Sequence, residues 1–203
     1  MLNTKRHKSQ TGLLRRLCLL GALLPFFACQ PTSNPRVVIE TDRGAITAEI
    51  YLKEAPISAG QFLKLVDEGY YNRGNAIFYR VTRADNQPND SVKIDVIQGG
   101  LYQAADAPAI AHETTQATGL HHLDGTLSMA RAEPGTASSE FFICIGDQPE
   151  LDFGGKRNPD GQGFAVFGQV TDGMSTVKSI QALPDQGQYL TEPVLIRSIR
   201  RLP

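Results

Sequence analysis

The chain has 203 residues, a formal net charge of −1 and a hydrophobic fraction of 41%. These values fit an ordinary globular domain and exclude both a disordered chain and one that crosses a membrane repeatedly. Beyond residue 28 the balance is 15 basic against 21 acidic side chains. That net −6 argues against a nucleic-acid partner, because phosphate recognition needs a basic surface.

Residues 1–28 read as a secretory signal. Lys5, Arg6, Lys8, Arg15 and Arg16 form a positive leader with no acidic residue. The apolar run 17–28 falls short of the roughly 20 residues of a membrane span. Cys29 follows Ala28 directly, and a small residue before a cysteine at this place resembles a bacterial lipobox, although Phe26 and Phe27 are larger than usual there. The expectation is a signal peptide over 1–28, lipidation of Cys29, a polar tether over 29–35 and one domain over 36–203. Ordinary signal cleavage and an uncut anchor are the alternatives, and Arg15-Arg16 fits general export better than a twin-arginine signal. The implied location is the bacterial cell envelope, facing the periplasm, with the membrane a partner through the lipid anchor. Cys18 falls within the apolar run, so Cys144 alone remains. Flanked by Phe141, Phe142, Ile143 and Ile145, it reads as a small core residue with no disulfide framework.

Within the domain, 37–41 and 45–52 read as strands joined by a tight turn at Asp42-Arg43-Gly44. Ile46, Ala48, Ile50 and Leu52 alternate with more polar residues, the period of a half-buried strand. A helix is expected between Pro56 and Gly69, with Ala59, Phe62, Leu63 and Val66 on its apolar face. Strand-like runs follow at 77–82, 92–97, 125–130, 140–145 and 164–170. Residues 172–182 have helical spacing with Asp172 as cap, 153–163 is a surface loop, and 194–202 is a final strand. Two helices among seven or eight short strands predict a mainly β fold, a closed antiparallel barrel capped by two α-helices.

Four segments in order resemble the cyclophilins. They are Phe78-Tyr79-Arg80-Val81, Gln98-Gly99-Gly100, the stretch from Gly125-Thr126-Leu127-Ser128-Met129-Ala130 to Ser139-Glu140-Phe141-Phe142-Ile143, and Ala165-Val166-Phe167-Gly168-Gln169-Val170. The resemblance implies an eight-stranded barrel and a peptidyl-prolyl cis-trans isomerase acting on unfolded or extended proline-containing polypeptides, without cofactor or metal. It implies that Arg80 is the catalytic residue, oriented by Gln98. Phe142, Val96 and Leu151 would wall the proline pocket, and the backbone at Ala130, Arg131 and Ala132 would bind the peptide beside it. Glu140 and Phe164 also fall at substrate-binding positions of the family.

Several family positions differ. Glu140 replaces a glutamine, Glu150 replaces the aromatic near Asp152, and 86–90 reads as an inserted loop. Counting back from Gln98, Asp95 falls where a pocket phenylalanine is expected, unless the longer loop turns it away. These departures leave a second reading open: a catalytically weak proline-binding or chaperone-like module. His112, Glu113, His121 and His122 lack metal-ligand spacing and read as loop residues. Nothing calls for an oligomer, so a monomer assisting the folding of exported proteins is expected.

Overall fold

A computed structural model describes residues 1–2, 33–102 and 107–203. Cys29 and almost all of the expected signal peptide therefore lie outside the described residues. Residues 33–203 form one compact unit.

Among the described residues nine strands build one sheet: β1 (Arg36–Thr41), β2 (Gly44–Ile50), β3 (Ala76–Thr82), β4 (Val96–Leu101), β5 (Thr126–Met129), β6 (Glu140–Cys144), β7 (Ala165–Asp172), β8 (Asp185–Gln186) and β9 (Tyr189–Arg201). Their order is β1-β2-β7-β5-β6-β4-β3-β9, and β9 pairs back with β1. Eight strands thus close an antiparallel barrel, which leaves no long free edge. The two-residue β8 is an appendage paired only with β9.

The helices are α1 (Pro56–Asp67), the single turn α2 (Thr115–Thr118) and α3 (Met174–Gln181). The pattern did not announce α2. Pro56 occupies the first turn of α1, where its missing N–H costs nothing. The Glu113 carboxylate then caps that helix from a distant loop, accepting from the N–H groups of Ile57 at 3.0 Å and Ser58 at 2.6 Å. Helix α1 buries Phe62 against Phe141 and Phe167, and α3 buries Val177 and Ile180 in the same core.

Strand β2 ends at Ile50, leaving Leu52 exposed beyond it, and three further departures from expectation have a clear physical cause. The run 92–97 is a strand only from Val96 onward. The backbone of Ile94 is satisfied by the buried Gln87 side chain, which donates to Ile94 O and accepts from Ile94 N, and the Asp95 N–H donates to Gln148. Alternating apolar residues cannot reveal that side chains have replaced the ladder. Asp172 does not cap α3 but ends β7 opposite Thr47. The cap is Gly173, at φ +94°, where a Cβ would meet Ala45 O at 2.5 Å. The last strand begins five residues early, at Tyr189, because Gly187 and Gln188 both take left-handed backbone and make a two-residue hairpin.

Candidate active site

The site grows out of strand register. Arg80 on β3 pairs with Gln98 on β4, Gln98 pairs with Phe142 on β6, and Phe142 pairs with Ser128 on β5. Four neighbouring strands therefore line up these side chains in one row. Alternation sends Phe141 into the barrel core and leaves Phe142 in a separate apolar cluster with Ile94, Val96, Cys144 and Leu151. A register shift between Phe78 and Arg80 lets Phe78 stay in the core. Glycine is required after Gln98, since a Cβ on Gly99 would sit 2.4 Å from Ile77 O.

Beside this row lies a cavity of about 270 Å³ lined by Arg80, Ile94, Val96, Gln98, Ala130, Arg131, Phe142, Leu151, Arg157, Asn158 and Phe164. Phe142 meets Phe164 edge-on at 5.3 Å and stacks on His122 at 6.0 Å. A second cavity of about 310 Å³ shares Gln98, Ala130 and Arg131 and adds Ala132, Ser139 and Glu140 among its lining. Eight of the ten expected site residues thus share the first cavity, while Ala132 and Glu140 line its neighbour.

Arg80 is held from two sides. Its Nη1 donates to Gln98 Oε1 at 2.9 Å, while Nε and Nη2 donate to Gln188 Oε1 at 3.1 and 2.5 Å. Burial, and then the charge of Arg157, pull the Arg80 pKa below its ordinary value. Gln98 is itself fixed, with Nε2 donating to Tyr79 Oη at 2.7 Å and to Glu140 Oε2 at 3.1 Å. Tyr79 donates to the same carboxylate oxygen at 2.5 Å. A carboxylate only accepts, so the amide nitrogen of Gln98 must face Glu140 and its carbonyl must face Arg80.

Asp95 does not enter the pocket. Its carboxylate accepts from Gln181 Nε2 on α3 at 3.3 Å, and Ile94 supplies the apolar wall instead. The Arg131 side chain is almost fully buried, bonding Gly163 O and Asp160 and lying over Phe164. Asp152 receives both His121 and His122, and His122 Nε2 meets Ser128 Oγ at 3.0 Å. His112 Nε2 meets Gln162 O. Among the described residues no three metal-ligating side chains converge.

A family model described as "Cyclophilin type peptidyl-prolyl cis-trans isomerase/CLD" matches residues 36–201. The chain belongs to the cyclophilin family. Relatives include "Peptidyl-prolyl cis-trans isomerase A" of Dickeya dadantii, 33% identical over 89% of this chain and 90% of the relative. Another is the Acinetobacter baylyi "Peptidyl-prolyl cis-trans isomerase", 34% identical over 85% of each. A crystal structure of a Cryptosporidium parvum cyclophilin superposes with a TM-score of 0.65 at 24% identity, covering 83% of this chain and 98% of that one. This cyclophilin is accordingly a peptidyl-prolyl cis-trans isomerase, acting on Xaa-Pro bonds.

Reasoning from the sequence missed Ile94, Arg157, Asn158 and Gln188. Ile94 carries a signal, because it alternates with Val96. Gln188 carries none: it is 108 positions from Arg80 and in a two-residue turn.

Proposed function

We propose that Arg80 is the catalytic residue and that the cavity beside it receives the proline ring. Rotation about an Xaa-Pro bond is resisted by amide resonance, a barrier of about 18–20 kcal/mol. Twisting localises the lone pair on the prolyl nitrogen. A guanidinium N–H aimed at that nitrogen stabilises the twisted state more than the planar ones, which is what lowers a barrier. Ile94, Val96, Phe142, Leu151 and Phe164 grip the ring, so the chain on one side of the bond turns against a fixed partner. No covalent bond forms or breaks.

The observation that carries this reading is the double anchoring of Arg80 by Gln98 and Gln188 at the edge of a cavity walled in part by Val96, Phe142 and Leu151. Ala130, Arg131 and Ala132 supply backbone for the flanking peptide, and Glu140 acts through Gln98. The catalytically weak alternative drew its support from Asp95, Glu140 and Glu150. With Asp95 bonded to Gln181 and Glu140 to Tyr79 and Gln98, the active reading has the better support. A protease-coupled cis/trans assay on a proline tetrapeptide tests it: no acceleration over the uncatalysed rate removes it.

The substrates we assign are exported chains in extended or unfolded form, met at the bacterial envelope by a monomer lipidated at Cys29. The positive leader, the short apolar run and the Ala28-Cys29 step support this. Mass spectrometry of the protein from its native membrane tests it, and an unmodified Cys29 or a start beyond it overturns the anchor.

A further inference from the structure

Asn158 Nδ2 is buried and has no hydrogen-bond partner among the described residues. The residue lines the cavity beside Arg80. A buried donor without an acceptor costs free energy, and native proteins rarely leave one.

The loop that carries Asn158 gives it little freedom to find a partner elsewhere. Glu150 Oε2 accepts from the Lys156 N–H at 2.8 Å, and Glu150 O accepts from the Arg157 N–H at 3.1 Å. Arg157 reaches across to Val92 O at 2.7 Å and pairs with Asp90 at 3.0 Å. On the other side, Asn158 O accepts from the Gly161 N–H and Arg131 clasps Asp160. Backbone before and after Asn158 is thereby fixed, with the residue among those that line the cavity.

We propose that Asn158 is a substrate-binding residue whose amide donates a hydrogen bond to a backbone carbonyl of the Xaa-Pro peptide. This rests on the cavity being the proline site. An Xaa-Pro segment suits the donor, because proline has no N–H and the polar group it brings into the pocket is a carbonyl acceptor. The donor stands on the 152–163 loop, apart from the strands that carry Arg80 and Gln98, so the peptide is held from two sides.

The sign of the stability change separates this role from a structural one. Asn158→Ala removes an unsatisfied buried donor, so the free protein should melt at the same or a higher temperature. For a proline tetrapeptide, KM should rise about tenfold with kcat changed less than twofold, since the bond is made in ground and transition states alike. The Asn158 side-chain amide resonances should shift on saturation with the peptide, and Asn158→Asp, which presents an acceptor, should not restore KM. An unchanged KM in Asn158→Ala with unshifted resonances overturns the proposal and leaves the amide to an ordered water. A lowered melting temperature without a KM effect assigns Asn158 to the fold and also overturns it. If Arg80→Ala too leaves turnover unchanged, the proline-site reading itself has failed.

Discussion

One oxygen of Gln188 accepts two hydrogen bonds from Arg80, at 3.1 Å from Nε and 2.5 Å from Nη2. Gln188 holds this position at φ +76°, the sole non-glycine residue with left-handed backbone among the described residues. Its carbonyl accepts from the Val81 N–H and its own N–H donates to Asp185. Such strain persists where surrounding structure over-determines it. Asparagine tolerates left-handed backbone but is one methylene too short to reach Arg80. Gln188→Asn should therefore melt within a few degrees of the unmodified protein while kcat/KM falls about tenfold. Unimpaired turnover would make the contact incidental.

Arg80→Ala should lower kcat/KM at least about tenfold, roughly 1.4 kcal/mol of transition-state stabilisation. Arg80→Lys should not rescue it, because a rotatable ammonium lacks the rigid planar fork that meets Gln98 and Gln188 at once and aims a further N–H. Stopped-flow isomerisation of one peptide by the three proteins decides this, and full rescue by lysine would refute the fork.

Ile94 and Asp95 are neighbours with opposite fates. Ile94→Ala should raise KM about fivefold and cost about 2–4 kcal/mol of stability as a cavity opens among Val96, Phe142 and Leu151. Asp95→Asn should leave KM within about twofold, its side chain being turned to Gln181. Denaturant titration with peptide kinetics reads both, and reversal of the KM effects would put Asp95 in the pocket.

Glu140 orients Gln98 because it can only accept. Glu140→Gln keeps an oxygen for Tyr79 and Gln98 and should retain activity within about threefold. Glu140→Leu leaves both donors without that acceptor and frees the Gln98 amide to turn over, so kcat should fall about tenfold. Equal activities would show that the amide needs no such partner.

His122 should make the fold acid-sensitive. Burial, opposed by its hydrogen bond to Asp152, depresses the pKa of this histidine. Neutral His122 donates from Nδ1 to Asp152 and accepts from Ser128. A base whose folded pKa lies below its unfolded value stabilises the fold above the unfolded pKa. That contribution is lost as pH falls from about 6.5 toward the folded pKa, at most about 1.4 kcal/mol per pH unit for one proton. Burial alone would raise the Asp152 pKa, but hydrogen bonds from His122 and His121 hold it low, so its own contribution disappears only below about pH 4. Urea denaturation between pH 7 and 5 should show the first slope, and His122→Gln should flatten it while lowering stability at pH 7. An unchanged slope in that variant would place the titration elsewhere.

The sequence by itself determined the barrel and both main helices, and it singled out Arg80 and Gln98, which the structure brings together. Alternation, a proline-opened helix and four ordered segments are local signals, and Arg80, Gln98 and Phe142 sit inside them. Register then carried those three to one row, as alternation about Phe141 and Phe142 required. Only the tertiary structure decided what surrounds that row. The turn of Ile94 toward the pocket depends on Gln87 and Gln148 satisfying backbone that a ladder would otherwise claim. Gln188 reaches Arg80 because β9 lies beside β3, and Asn158 reaches the cavity because Arg157 and Arg131 pin its loop. Contacts between residues far apart in the chain are set by barrel closure and by loops whose hydrogen bonds have no periodicity, so no reading along the chain could supply them.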